Sequence, residues 1–245
     1  MFGFFRRRKR KRLLGQPFPP EWLPLLKRYL PFYPRMSAAD RARFHDHIKV
    51  FVWEKTFIGA KGLQVTDTHK VIIAAAAARL IQHLDLSYYD RLREIVVYPH
   101  DYKHPDGSEV ILGEAHHWGV VVLSWPAVLH GLADPCDGWD TAAHEFAHVL
   151  DRGTGAFNGT PALRADAHYR PWAQVMQQHY DRLREGAPRE RRVMRPYGAT
   201  NEAEFFAVAT EAFFERPRLM RQLTPDLYEE LRRFYGFDPT DQSPC

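Results

Sequence analysis

Two histidines four residues apart, with a glutamate between them, are the side chains of this sequence best suited to catalysis. They are His144, Glu145 and His148 in the segment DTAAHEFAHVLD. On a helix, residues four apart lie on one face, one turn apart, so both imidazoles can bind one metal ion. Glu145 can reach a water on that metal, and zinc lowers the pKa of such a water to about 7. The spacing predicts one Zn²⁺ per chain with Glu145 as general base; the alternative is a helix whose histidines only pack.

A catalytic zinc usually has three protein ligands and one water. The acidic and histidine side chains that follow the motif are candidates for the third: Asp151, Asp166, His168, His179, Glu202, Glu204 and Glu211. Glu204 and Glu211 share a helix face but lie about 10 Å apart along its axis. One of them could therefore ligate while the other holds a ligand histidine. The spacing leaves the choice open, because Glu204 also fits a capping-box position after Asn201.

The elements that must position these residues are mostly helical. Apolar spacing and capping residues predict helices at about 21–30, 37–57, 67–84, 139–151, 168–185, 201–215 and 224–235. Two short β-branched runs, EIVVY at 94–98 and GVVVLSW at 119–125, predict strands separated by a polar loop at 99–118. We expect the second strand to be an edge strand that pairs with substrate backbone. The fold class is α+β, with a small sheet before the motif helix.

The chain divides into a basic arm and one domain. Residues 1–19 begin with three phenylalanines (Phe2, Phe4 and Phe5) and an unbroken block of seven cations from Arg6 to Arg12, and the arm ends at a proline-rich stretch, 17–20. Without that block the net charge of +4 becomes negative, so the remainder is not a nucleic-acid binder by composition. No boundary is evident within 20–240, which we interpret as a single domain. The phenylalanines and the basic block of this arm predict contact with an anionic membrane surface or with nucleic-acid phosphates. The alternative is a disordered, solvated tail.

Cysteine content and hydropathy bear on the compartment. The two cysteines, Cys136 and Cys245, do not form a disulfide framework and fit a reducing environment. No segment has the about 20 apolar residues that span a bilayer, and no signal-peptide apolar stretch follows the basic block. These features predict a cytoplasmic protein.

Three segments in order resemble the Mlc titration factor A family of zinc peptidases: GVVVLSW, AAHEFAHVLD and YGATNEAEFFAVATEAFF. The last is also similar to the zinc-binding end of anthrax lethal factor, a related metallopeptidase. The resemblance covers about 20–240 and implies a zincin-like, gluzincin-like metallopeptidase domain. It implies His144, His148 and Glu204 as zinc ligands, Glu145 as base, and a Tyr197 hydroxyl that supports the oxyanion.

The resemblance further implies aminopeptidase-like hydrolysis of peptides or proteins by a zinc-bound water, and a link to the transcriptional repressor Mlc. It also suggests that a loop histidine, among His104, His116 and His117, could occupy the water's position and hold the enzyme latent. Solvent-exposed loop histidines are the alternative. The rival function is a latent or non-catalytic zinc protein that acts by binding a transcriptional regulator. The presence of Glu145 favours the enzyme, because a structural zinc site needs no base.

Overall fold

A computed structural model describes residues 2–103, 110–111, 113–116, 119–155 and 157–245. Most of these residues are helical. The helices are α1 (Phe2–Leu14), α2 (Leu23–Tyr29), α3 (Ala38–Glu54), α4 (Asp67–Leu80), α5 (Trp125–Ala133), α6 (Thr141–Asp151), α7 (Asp166–Arg184), α8 (Pro188–Val193), α9 (Glu202–Glu215), α10 (Pro217–Leu223) and α11 (Pro225–Tyr235). The strands are β1 (Thr56–Gly59), β2 (Glu94–Tyr98), β3 (Tyr102–Lys103), β4 (Val110–Ile111), β5 (Gly113–His116) and β6 (Val120–Ser124).

The main sheet has the strand order β1-β2-β6-β5. The first three strands are parallel, and β5 runs antiparallel to β6 with Gly113 opposite Leu123. β2 alternates buried and half-buried side chains, as expected for a strand with one face on the core. The short strands β3 and β4 form a separate antiparallel pair. The α+β class with a small sheet before the motif helix is therefore confirmed.

Helices α4, α6 and α9 lie against one another and form the centre of the core. The alanine run of α4 is buried, and small side chains allow close approach of neighbouring helix backbones. The largest fully buried side chains are aromatic and include Phe146 on α6 and Phe206 and Phe213 on α9. This packing holds α6 and α9 side by side, which determines the geometry of the site.

The prediction that the second β-branched strand is an edge strand is wrong. The strand at 120–124 is β6, and it is an interior strand flanked by β2 and β5. The edge is β5, which lies in the segment predicted to be a polar loop. The predicted helix to residue 57 stops at Glu54, because residues 56–59 pair with β2 as strand β1. Strands of four residues such as these are too short to have a periodic signal, and sheet pairing determines them.

Two terminal features also differ from expectation. Cys136 and Cys245 form a disulfide with Cα atoms 5.8 Å apart, a pairing that the interpretation of a reducing environment did not predict. Residues 2–14 are helical, and Arg10 forms ion pairs with Glu54 at 2.9 Å and Asp90 at 2.7 Å. The division into arm and domain stays a prediction. Across the described residues, no helix is both long and apolar enough to cross a membrane.

Candidate metal centre

Helix α6 presents the motif side chains. Asp140 is its N-cap and accepts a hydrogen bond from the backbone N–H of Ala143 at 2.9 Å. His144, Glu145 and His148 are 7%, 6% and 5% exposed. The two imidazole rings are 4.8 Å apart between centroids. The helix thus places two nitrogen donors together in a site that is largely shielded from solvent.

Helix α9 brings Glu204 to the two histidines. Asn201 is the N-cap and accepts a hydrogen bond from the backbone N–H of Glu204 at 2.9 Å. The Glu204 side chain does not turn back to the cap. Its Oε2 lies 3.0 Å from Nε2 of His144, and its Oε1 lies 3.4 Å from Nε2 of His148.

The three side chains have the geometry of a metal site. The two Nε2 atoms are 3.2 Å apart, and in the described part of the chain these three residues form the group whose donor atoms could hold a metal ion. Tetrahedral ligands with bonds of about 2.0–2.1 Å lie about 3.3 Å from one another. The observed separations match this value, and two imidazoles with one carboxylate suit zinc chemistry. The residues present therefore fit a metal ion.

A second carboxylate determines the orientation of His144. Glu211 lies about two turns after Glu204 on α9 and contacts Nδ1 of His144 at 2.8 Å. It also accepts hydrogen bonds from the backbone N–H of Asp140 and from the side chain of Arg195. Because Nδ1 is directed at Glu211, Nε2 is the ring nitrogen of His144 that is left to bind a metal ion. Burial lowers the pKa of His144, but the hydrogen bonds that the ring donates to Glu204 and Glu211 outweigh this and raise it to about 10.

Glu145 lies against the edge strand. A Cβ added to Gly113 of β5 would come within 2.6 Å of Cγ of Glu145, so only glycine permits this approach. Burial raises the pKa of Glu145 to about 7, although His144 acts in the opposite direction. A carboxylate with a pKa near neutrality is well matched to a general base.

Beneath the cluster lies a group of buried charges. Arg79 on α4 is 5% exposed and donates a hydrogen bond to the carbonyl of Phe214. Two carboxylates, Asp140 and Glu215, lie close enough to interact with it electrostatically. Glu215 accepts a hydrogen bond from the backbone N–H of Trp139 at 2.9 Å. Burial, with Asp140 nearby, raises the pKa of Glu215 to about 9.

Tyr197 lies beside the cluster. It belongs to a short 3₁₀ turn, Pro196–Ala199, and its side chain is 51% exposed. Its ring centroid is 5.9 Å from that of His144. The structure thus brings Tyr197 next to the residues with which it was predicted to act.

Several candidates for the third ligand lie elsewhere. Asp151 accepts a hydrogen bond from the backbone N–H of Gly159 at 2.9 Å. His168 contacts Glu230 at 2.6 Å, and His179 contacts both Glu190 and Asp226. Asp166 and Glu202 are exposed at the first turns of α7 and α9. None of these is in the described His144–His148–Glu204 group.

The predicted blocking histidine falls mainly outside the described residues. His104 and His117 lie outside them. For His116 the backbone is described, in β5 opposite Val120. The hypothesis of a latent enzyme held by one of these side chains stays a prediction.

Sequence reasoning missed Gly113, Arg195 and Arg152 as residues of the site. Gly113 precedes the recognised strand and was assigned to a loop, so its closeness to Glu145 had no signal. Arg195 lies before α9 and outside its periodic pattern, so its contact with Glu211, 16 residues later, could not be predicted from spacing. Arg152 could have been found, because it lies seven residues after Glu145 and therefore on the same face of the extended helix.

Comparisons with known proteins agree with a metal-dependent peptidase. The model of the glucose-regulated metallo-peptidase M90 family matches residues 4–236. This chain belongs to that family.

Individual relatives match over most of their length. An uncharacterized protein of Synechocystis sp. is 35% identical over 244 residues, covering 94% of this chain and 89% of the relative. Mlc titration factor A of Edwardsiella ictaluri is 28% identical, with 86% and 85% covered. The protein of the same name from Yersinia pestis is 26% identical, with 86% and 82% covered. The resemblance noted from the three motifs is therefore confirmed.

Proposed function

We propose that this protein is a zinc-dependent metallopeptidase with His144, His148 and Glu204 as the protein ligands of one Zn²⁺. The observation that carries the proposal is the convergence of three donor atoms at 3.0–3.4 Å beside a buried Glu145. A purely structural site would be closed by a fourth side chain. Within the described residues, the group contains three.

The chemistry divides between the metal and the chain. When bound, zinc polarises a scissile carbonyl and acidifies a water. Glu145 accepts the proton of the attacking water and later delivers it to the leaving amine. Glu211 holds His144 in one tautomer, so that its Nε2 is available as a donor. The Tyr197 hydroxyl supports the developing oxyanion from the exposed side of the cluster.

The edge strand supports a peptide substrate. Among the described residues, β5 pairs only with β6, so its outer backbone groups can pair with an extended peptide. Gly113 places this edge directly against Glu145. A peptide that extends the sheet would therefore pass close to the base.

The central experiment compares wild type with Glu145→Gln. We expect zinc content to be unchanged and peptide hydrolysis to fall by about 10²–10⁴-fold, because the amide cannot accept the proton. Glu202→Gln, an exposed change on the first turn of α9, is the matched control. Zinc-free wild type would contradict the metal site. Equal activity in Glu145→Gln would contradict the base.

Aminopeptidase-like specificity is a finer part of the proposal and is supported by the family resemblance. It predicts that peptides with a free N-terminal amine are hydrolysed and their N-acetylated forms are not. Cleavage of both at similar rates, at an internal bond, would replace it with endopeptidase activity.

The relatives named Mlc titration factor A support a second role, the binding of a repressor of the Mlc type. One observation favours a latent protein that acts in this way. Glu145 is 6% exposed and β5 lies against it, so a substrate must reach a covered base. Zinc-loaded wild type that binds a purified Mlc-type repressor but cleaves no peptide would favour this alternative. A His104→Ala variant with increased activity would assign the latency to that loop.

Helix α1 is the proposed contact with an anionic surface. Its exposed side chains include Phe5 and five of the seven consecutive cations. Arg6 and Arg10 are instead paired with the body. Sedimentation with anionic liposomes, with and without residues 1–15, tests membrane contact; a titration with single-stranded DNA tests the nucleic-acid alternative. Equal liposome binding by the two proteins would remove the membrane role.

A further inference from the structure

A small cavity opens beside the proposed metal centre, at the C-terminal end of α6. Its volume is about 180 Å³, and its walls include Val120 of β6 and Val149 of α6. The cavity is also lined by two arginines, Arg91 and Arg152, and by Phe157. A water molecule needs only about 10–15 Å³, so this cavity has room for an amino-acid side chain.

The guanidinium of Arg152 packs on an aromatic ring, but two of its nitrogens have no hydrogen-bond acceptor among the described residues. It lies over the Phe157 ring, 4.4 Å from the centroid. Within the described residues, its Nε and Nη1 are buried and have no hydrogen-bond acceptor. Buried guanidinium N–H groups almost always have an acceptor, and their planar arrangement matches the two oxygens of a carboxylate. The missing partner is therefore expected to be an anionic group of a ligand.

Arg91 adds a second positive charge to the same cavity. It comes from the segment before β2, and its Nη1 donates a hydrogen bond to the backbone carbonyl of Arg152 at 3.2 Å. This bond holds one end of Arg91 at the C-terminus of the motif helix. Two cations around one cavity with valine walls favour a group with an apolar stem and a negative tip.

The position of the cavity connects it to catalysis. Glu145, Val149 and Arg152 lie on one face of α6 and the turn that follows it, and Arg152 is about 6 Å along the axis from His148. The Phe157 ring contacts the His148 ring, with centroids 5.2 Å apart. An extended peptide advances about 3.3 Å per residue. The cavity therefore lies about two residues from the metal ligands.

A simpler role for Arg152 is to balance nearby acids. Burial lowers its pKa, while Glu145, Asp151 and Glu114 act in the opposite direction. That role needs charge but does not need two buried N–H groups that have no acceptor among the described residues. The two roles predict different results when the ligand changes and the protein does not.

We propose that Arg152, with Arg91, forms a subsite that binds a carboxylate of the peptide substrate within about two residues of the scissile bond. The carboxylate comes either from an Asp or Glu side chain or from the peptide C-terminus. This proposal rests on the proposed peptidase function and specifies its substrate class.

The test uses alanine-based peptides in which Glu or Gln occupies one position at a time, each with a free or an amidated C-terminus. Hydrolysis is measured with zinc-loaded wild type, Arg152→Gln, Arg91→Gln and Arg152→Lys. Arg93→Gln is the matched control, because Arg93 is exposed and does not line this cavity. Affinity for the same peptides is measured by calorimetry with zinc-loaded Glu145→Gln, alone and combined with Arg152→Gln, so that binding is observed even without turnover.

We expect wild type to prefer Glu over Gln at one position by roughly tenfold to a hundredfold. Arg152→Gln should abolish the preference, Arg91→Gln and Arg152→Lys should reduce it, and Arg93→Gln should retain it. A preference for the free over the amidated C-terminus, lost in the same variant, identifies the terminal carboxylate as the ligand. Equal binding and hydrolysis of all paired peptides by wild type, or a preference that survives in Arg152→Gln, would overturn the subsite. If no peptide is cleaved but calorimetry shows the preference, the subsite stands and the peptidase function fails.

Discussion

Two clusters in this molecule each combine buried histidine with carboxylates, but they differ in geometry. The first, the α6–α9 cluster, contains His144, His148 and Glu204. The second, the α7 cluster, contains His179 of α7, Glu190 of α8 and Asp226 of α11. In the second cluster both nitrogens of a single imidazole contact carboxylates, Nδ1 at 3.0 Å and Nε2 at 2.9 Å.

The difference shows what a metal site requires beyond residue types. In the α7 cluster one ring lies between two acids, and each contact is a hydrogen bond that joins two helices. In the α6–α9 cluster two separate Nε2 atoms and a carboxylate converge on one point. Convergence follows from two histidines one turn apart on one helix, which the α7 cluster lacks. We therefore interpret the first cluster as a ligand site and the second as a connection between helices.

Removal of one acid from each cluster gives the largest contrast. Glu204→Ala should lower zinc affinity by more than about hundredfold, because loss of a ligand exceeds the about 10–100-fold effect of an outer partner. Glu190→Ala should leave zinc affinity unchanged. Competition with a chromogenic chelator measures both. Equal loss of zinc affinity in the two variants would remove the distinction between the clusters.

The α7 cluster should matter instead for stability. His179→Ala leaves Glu190, which is 2% exposed, without its imidazole partner. A buried charge that loses its partner destabilises by about 3–5 kcal/mol. Urea denaturation of the metal-free protein measures the free energy of unfolding. His130→Ala, at an exposed histidine, is the control, and a His179→Ala protein as stable as wild type would show that the cluster is not a structural connection.

Glu211 tests whether the outer carboxylate serves the metal. Glu211→Gln keeps the shape but removes the negative charge that orients His144 and accepts from Arg195. We expect zinc affinity to fall by about 10–100-fold, less than for Glu204→Ala. The same chelator competition applies. An effect as large as that of Glu204→Ala would indicate that Glu211 itself is a ligand.

The smallest effect, measured per pH unit, is expected for Glu215. Its pKa is raised to about 9 in the folded protein by burial and by Asp140, against an ordinary value near 4.5. The folded state therefore favours the protonated acid, and this stabilisation, complete below pH 4.5, is lost as pH rises towards 9. Relative to wild type, Glu215→Gln should gain about 1.4 kcal/mol of stability for each pH unit between pH 5 and 8.5. Urea denaturation at both pH values checks this, with Glu202→Gln as control; a constant difference would contradict the raised pKa.

The sequence by itself determined the elements with strong periodicity. The predicted motif helix and the predicted helix that carries Glu204 agree with the structure to within about two residues. Local physics is sufficient there, because apolar spacing, caps and the four-residue spacing of His144 and His148 act within one or two turns. The two β-branched strands were also recognised from their composition.

Only the tertiary structure decided which distant residues meet. Glu204 and Glu211 were alike by spacing, and the packing of α9 on α6 places the first at Nε2 of His144 and the second at Nδ1. The edge position of β5 and the approach of Gly113 to Glu145 depend on sheet pairing across the chain. The cavity around Arg152 likewise joins β6, α6 and the segment before β2. Such contacts arise from packing between segments far apart in sequence, which no local pattern specifies.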